Sequence, residues 1–176
     1  AMGLTREKEI GTLEQIMVTP VRPIELMIGK TPPFACIGLL DVGFVVSVAA
    51  IVFDLPVRGS LWSLYAASAV FLMTTLGMGL FISTISQTQQ QAMLTAFFLL
   101  LPALMLSGYV FPIDNMPRPV RLVTLANPLR YYIELTRGIM VKGSTLWDLW
   151  PSLAALGVLG ACVLGGAALR FRKRVA

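Results

Sequence analysis

The stretch that decides the fold is Pro32 to Phe53, with the sequence PPFACIGLLDVGFVVSVAAIVF, in which Asp41 is the single charged residue. A helix needs about 20 consecutive apolar residues to cross the hydrocarbon core of a bilayer, and this run has that length. The run therefore predicts a membrane-spanning helix over residues 32–53.

Further apolar runs of similar length follow along the chain. They cover residues 61–82, 92–111 and 149–169, and together with the first run they predict about four spans. Pro102 lies inside the third span, where we expect a kink or break. The expected fold class is an all-α integral membrane protein, with a transmembrane domain over residues 32–176.

The composition favours a membrane protein over a soluble one. Hydrophobic residues make up 56% of the chain and charged residues 13%. The net charge of +5 would suggest nucleic acid for a soluble protein, but the basic residues lie in loops and at chain ends rather than along one stripe. We interpret them as a topology signal and expect a lipid membrane, not nucleic acid, as the partner.

The basic residues predict which side of the membrane the chain ends occupy. The last span is followed by a cluster that favours the cytoplasmic side: Arg170, Arg172, Lys173 and Arg174. Four spans return residues 1–31 to the same side, so both chain ends are expected in the cytoplasm. Five basic residues on the outer side argue against this topology: Arg118, Arg121, Arg130, Arg137 and Lys142.

Residues 1–31 are polar enough to lie outside the membrane, as two short interfacial helices. Thr12 and Gln15 have the spacing of a capping box, in which each side chain bonds the other's backbone N–H. We expect an amphipathic cytoplasmic helix from Thr12 that ends at Thr19-Pro20. A second short helix is predicted from Ile24 to Lys30.

Residues 112–148 are neither polar enough for a free loop nor apolar enough to span. The prolines that divide this segment into short pieces are Pro112, Pro117, Pro119 and Pro128. Asn127 precedes the last of them and predicts the turn into a helix. We expect short re-entrant or surface helices here, on the outer side before the last span.

Three stretches together resemble one known family. They are REKEIGTLEQIMVTPVRP at residues 6–23, SGYVFPIDNMP at residues 107–117 and NPLRYYIELTRGI at residues 127–139. Their sequences and order resemble the permease subunit of ABC exporters of the type-2 class. The resemblance covers nearly the whole chain, which corresponds to the C-terminal half of such a permease.

The resemblance implies a function for the amphipathic helix near the N-terminus. In the family this segment is the coupling helix, which docks in a cleft of the ATP-binding subunit and passes its movement to the membrane helices. The residues that the resemblance assigns to this contact are Glu7, Glu9, Thr12, Leu13, Glu14, Gln15 and Met17. A solvated interfacial helix is the alternative interpretation of the same residues.

The resemblance also implies the assembly. The chain is expected to pair with a second permease copy, as a homodimer or heterodimer, and with ATP-binding subunits that hold ATP and Mg. It is then the permease of an ATP-driven exporter in a bacterial inner membrane. A secondary, ion-coupled transporter or a membrane-anchoring fragment is the alternative, although no inverted repeat supports the former.

Three charged residues are candidates for a transport path or gate. Asp41 is the one acid within a span, and intramembrane acids commonly line a polar path. A hydrogen bond within the helix bundle is its alternative. Glu134 and Arg137 match the family segment near the outer gate, but they are three residues apart and could instead pair with each other.

The sequence lacks the patterns of a catalytic site. It has no His, no Gly-rich phosphate loop followed by Lys, and no Ser in a nucleophile elbow. Cys36 and Cys162 are not spaced as metal ligands. We therefore expect no enzymatic activity, no cofactor and no metal on this chain.

Overall fold

The computed structural model describes residues 23–54 and 58–175, and among them the side chains of residues 32–54 and 58–167. These residues form α-helices and no strand, as the predicted fold class requires. The helices are α1 (Pro23–Val52), α2 (Leu61–Ile85), α3 (Gln89–Met105), α4 (Arg118–Thr124), α5 (Pro128–Arg137) and α6 (Trp150–Val175). A 3-10 turn at Ile113–Asn115 precedes α4, and a π-helical turn at Gly138–Lys142 follows α5.

Three of the described helices are long and apolar enough to cross a membrane. The spans are Pro32–Val52 within α1, Leu61–Ile85 as α2, and Trp150–Ala167 within α6. Helix α3 is also apolar, but its 17 residues give it a length of about 26 Å at 1.5 Å per residue. It falls short of the roughly 30 Å of the hydrocarbon core.

Helix α1 differs from the prediction at its beginning. The sequence predicted a separate helix at Ile24–Lys30 before the first span, whereas the structure has one continuous helix from Pro23 to Val52. Pro32 and Pro33 lie inside it. A proline removes one backbone hydrogen bond, but membrane helices tolerate this loss, so the proline pair does not end the helix here.

Helix α3 begins earlier and ends earlier than the predicted span over residues 92–111. Thr88 caps it by accepting a hydrogen bond from the Gln91 N–H at 3.2 Å, and Oε1 of Gln91 accepts from the Gln87 N–H at 2.9 Å. The polar residues Gln89, Gln90 and Gln91, which precede the predicted span, therefore form the start of the helix. Pro102 lies inside the last turn, and the helix ends at Met105.

Helices α2 and α6 form the centre of the bundle. Oγ1 of Thr74 donates to the carbonyl of Val70 at 2.9 Å in its own helix, and it lies 3.4 Å from the carbonyl of Leu156 in α6. A Cβ atom added at Gly160 would lie 2.6 Å from Oγ1 of Thr74. Only glycine allows this close approach, which favours tight packing between membrane helices.

The buried core lies at one end of the bundle, where α5 packs against α2 and α6. Its fully buried members are Leu64, Ala67, Leu135, Ile139 and Leu156. Helix α1 is peripheral, since none of its described side chains is buried. We call residues 106–149, which connect α3 to α6 and include α4 and α5, the outer hairpin, after the side of the membrane that the sequence predicts for them.

Candidate functional site: the outer hairpin

The structure describes only part of the predicted site. The coupling-helix residues lie outside the described part of the chain: Glu7, Glu9, Thr12, Leu13, Glu14, Gln15 and Met17. Asp41 is exposed in the middle of the apolar part of α1, and Glu134 and Arg137 are exposed on α5. No hydrogen bond or ion pair joins Asp41 to either of them among the described side chains, so these candidates do not form one cluster.

Tyr132 packs α5 against α2. Its hydroxyl lies 3.0 Å from Oγ of the buried Ser68, and its ring stacks on Phe71 with centroids 4.1 Å apart and planes 7° from parallel. Ser68 Oγ also bonds the carbonyl of Leu64 at 2.8 Å. An aromatic stack combined with a hydrogen bond fixes both the position and the rotation of α5.

Glu134 joins α5 to α6 on the other side. Ser152 donates a hydrogen bond from Oγ to Oε2 of Glu134 at 3.0 Å, and Ser152 itself is 9% exposed. Among the described side chains, Glu134 and Arg137 form no ion pair with each other. The carboxylate therefore contributes to interhelical packing.

Asn127 connects α3 to the start of α5. Its Nδ2 donates to the carbonyl of Ala103 at 2.7 Å, and its Oδ1 accepts from the N–H of Leu129 at 3.1 Å. The second bond is an N-cap, and Pro128 at the first helical position has no N–H to satisfy. The turn predicted before Pro128 is present, but its link to α3 was not predicted.

Side chains also hold α4 and α5 together within the outer hairpin. Nη1 of Arg130 donates to Oγ1 of Thr124 at 2.5 Å, and the hydroxyl of Tyr131 donates to the carbonyl of Leu125 at 2.9 Å. Arg130 thus has a structural partner. Arg121 forms an exposed ion pair with Asp114 at 3.5 Å, which contributes little to stability.

Arg58, three residues before α2, lies against the outer hairpin. The N–H of Arg58 donates to the carbonyl of Met140 at 3.2 Å. Gly143 has a φ of 68°, in the left-handed region, and a Cβ added there would lie 3.3 Å from Cβ of Arg58. Arg58 and the outer hairpin therefore lie at the same end of the bundle.

A partial capping box precedes α6. Oδ2 of Asp148 accepts hydrogen bonds from the N–H of Thr145 at 2.9 Å and from its hydroxyl at 2.8 Å. These bonds, first that from the backbone and then that from the side chain, lower the pKa of Asp148. Sequence reasoning missed this pair, although the spacing Thr-x-x-Asp before an apolar run is a known signature.

An open groove of about 600 Å³ runs along α3 and was also not predicted. Its polar lining includes Thr88, Gln91 and Thr95, with Gln90 beside them, and Phe98 contributes to its apolar side. These residues recur at helical spacing on one face. The groove thus places polar groups along an otherwise apolar helix.

Acidic and Cys side chains do not cluster in the described part of the chain. No group of three or more His, Cys, Asp or Glu side chains among them could hold a metal ion. Cys36 and Cys162 are free and exposed. Hydrogen bonds hold the outer hairpin to α2, α3 and α6, so a movement of one of these helices can be passed to the others.

Comparison with known proteins gives consistent matches. Residues 1–141 match the family model described as ABC-2 type transporter. The chain is 34% identical over 175 residues to the probable multidrug ABC transporter permease YbhR of Escherichia coli (strain K12), covering 99% of this chain and 48% of the relative. No solved structure gives a significant match.

Two further relatives come from the same organism. The probable multidrug ABC transporter permease YbhS is 39% identical over 147 residues, which cover 82% of this chain and 38% of the relative. The inner membrane transport permease YhhJ is 32% identical over 174 residues, which cover 98% of this chain and 46% of the relative. The chain therefore spans about half the length of these relatives or less.

Proposed function

Because the chain belongs to the ABC-2 type transporter family, we propose that it is part of the permease of an ATP-driven exporter in a cell inner membrane. ATP hydrolysis takes place on a partner subunit, which binds ATP and Mg. The observation that carries the proposal is the extent of the family match, which includes both the charged segment at residues 7–17 and the outer hairpin through residue 141.

In this proposal residues 7–17 contact the ATP-binding subunit, and the coupling helix itself begins at Thr12. Thr12 and Gln15 have the capping-box spacing, which favours a rigid helix, Glu14 lies in its first turn, and Glu7 and Glu9 lie in the segment before it. A rigid element can pass on the movement of a partner, whereas a flexible loop would absorb it. Different contacts with two states of the ATP-binding subunit then couple hydrolysis to transport.

We further propose that α3 is the fourth crossing. It starts after Ser86 at the C-terminal end of α2, and it ends beside Asn127 in the outer hairpin, which packs on the N-terminal half of α2. It therefore runs back along α2 in the opposite direction, with 17 residues against the 25 of α2. Four crossings leave both chain ends on one side, which the basic C-terminal cluster assigns to the cytoplasm.

Asp41 is proposed to face a transport path rather than lipid. It lies about ten residues from either end of the span Pro32–Val52, and so roughly 15 Å from each interface. Its short side chain cannot reach the headgroups, and a bare charge at the bilayer centre costs at least about 2.5 kcal/mol. Glu134 and Arg137 are proposed to border the outer gate on α5.

The partners proposed are an ATP-binding subunit and a second permease copy, identical or related. The names of YbhR and YbhS include the word multidrug, which makes hydrophobic drugs a reasonable class of cargo to test first. Ethidium is a suitable fluorescent probe of this class.

Copurification with the ATP-binding subunit tests the proposal. Glu14→Arg should weaken the complex and abolish transport-coupled ATP hydrolysis, because it reverses a charge on the docking face. Gln90→Arg is a control on the exposed surface of α3. If the complex and its ATP hydrolysis survive Glu14→Arg unchanged, the proposed coupling helix is wrong.

A further inference from the structure

Asn127 uses both ends of its amide at the junction of two helices. The donor end bonds the carbonyl of Ala103 in α3, and the acceptor end caps α5 at Leu129. We propose that Asn127 is a positioning residue that joins α3 to the outer hairpin, so that the two move as one unit during transport. The inference rests on the transport role proposed above.

The choice of asparagine supports this role. Capping α5 needs only an oxygen acceptor, which Asp or Ser supplies equally well. The amide adds an N–H donor that neither a carboxylate nor a short hydroxyl can place in the same position. Asn127 is only 8% exposed, so water could not readily replace the lost N–H donor at the carbonyl of Ala103.

The carbonyl that Asn127 bonds is one that the end of α3 leaves open. The N–H of Leu106 bonds the carbonyl of Pro102, and the N–H of Ser107 bonds that of Leu104. Ala103 lies between these two acceptors. The last carbonyls of a helix lack partners within it, and here the outer hairpin provides one.

Within the described part of the chain α3 is otherwise loosely packed, and Ala92, near its beginning, is its one buried residue. The outer hairpin, in contrast, is held to α2 through Tyr132 and to α6 through Glu134. A displacement of the α3 end would therefore reach α5, and through it the centre of the bundle, by way of Asn127.

Spin-label distances in the complete transporter test the link. Labels at Leu101 in α3 and Leu122 in α4 would replace exposed side chains, in a background in which Cys36 and Cys162 are changed to Ser. Asn127→Asp keeps the cap and removes the donor. We expect Asn127→Asp to increase the width of the distribution of distances between the two labels about twofold, both with and without nucleotide.

Two variants complete the distance experiment. Asn127→Ser also retains a cap but carries no charge, and it should widen the distribution as Asn127→Asp does, even if the charged variant folds poorly. Thr88→Ala removes the N-cap at the other end of α3 and should leave the distribution narrow. Narrow distributions in both Asn127 variants would overturn the proposal.

ATP-dependent transport of ethidium in vesicles distinguishes a positioning role of Asn127 from a role in folding. Because Asn127 is not placed in contact with cargo, Asn127→Ser should lower kcat about tenfold, leave KM unchanged and leave the yield of complex intact. Wild-type kcat in this variant would overturn the proposal. Absence of ATP-dependent efflux in the wild type would instead contradict the proposed permease function, and the distances would still decide the link.

Discussion

Ser152 at the start of α6 donates a hydrogen bond of 3.0 Å to Glu134 in the middle of α5. The pair joins two helices that are adjacent in space but separated by the π-helical turn and the capping box. Because Glu134 makes this contact, its role does not depend on Arg137.

Removing the Ser152 hydroxyl should destabilise the bundle modestly. We expect Ser152→Ala to lower the free energy of unfolding by about 1 kcal/mol, the usual net contribution of a hydrogen bond. Glu134→Gln retains an acceptor and should cost less. Denaturant unfolding in detergent measures both. Arg137→Gln is the control, and a loss as large as that of Ser152→Ala would contradict the assigned partner.

Two glycines of α6 should respond in opposite ways to alanine. Gly160→Ala places a methyl group 2.6 Å from Oγ1 of Thr74, and we expect a loss of about 1–3 kcal/mol from overpacking. Gly157 has no atom within 4 Å of an added Cβ, so Gly157→Ala should be neutral or slightly stabilising. Thermal unfolding compares them, and equal effects would contradict the close crossing of α2 and α6.

The capping box before α6 should make the stability of the fold depend on pH in the acid range. The lowered pKa of Asp148 means that its ionised form stabilises the fold above the ordinary pKa of 3.8, and that this contribution disappears as the pH falls through the lower folded value. The difference in Tm between the wild type and Asp148→Asn should therefore be constant above about pH 5 and shrink in stronger acid. Thr145→Ala should remove the same dependence. A difference that grows towards acid pH would have the wrong sign.

Cysteine labelling tests the four crossings. In a background without Cys36 and Cys162, we expect Lys142→Cys to react with an impermeant thiol reagent from outside intact cells. Gln87→Cys and Ala176→Cys should react only after permeabilisation. Labelling of Lys142→Cys and Gln87→Cys from the same side would show that α3 does not cross the membrane.

Apolar run length predicted the membrane helices well because spanning a bilayer requires it. The runs at residues 32–53 and 61–82 coincide to within a few residues with the apolar span Pro32–Val52 of α1 and with α2. The predicted helix ends were less accurate. The first span was predicted to begin at Pro32, yet α1 starts at Pro23 and continues through Pro32 and Pro33, because a local proline signal does not include the support that neighbouring turns and a membrane give.

The contacts of the outer hairpin could not be predicted from the sequence. Short helices between prolines were expected over residues 112–148 and are present. The bonds from Asn127 to Ala103 and from Ser152 to Glu134 join residues 24 and 18 positions apart. Such pairs depend on how the helices pack, whereas the Thr145–Asp148 box is local and was predictable from its spacing.

The crossing of α2 and α6 has a consequence for biosynthesis. The two helices that pack most closely at Thr74 and Gly160 are separated by roughly 65 residues between the end of one and the start of the other. At about 5–20 residues per second, a ribosome needs several seconds to make that stretch. During this interval α2 presents Thr74 to lipid or to the insertion machinery, and only the arrival of α6 completes the bundle.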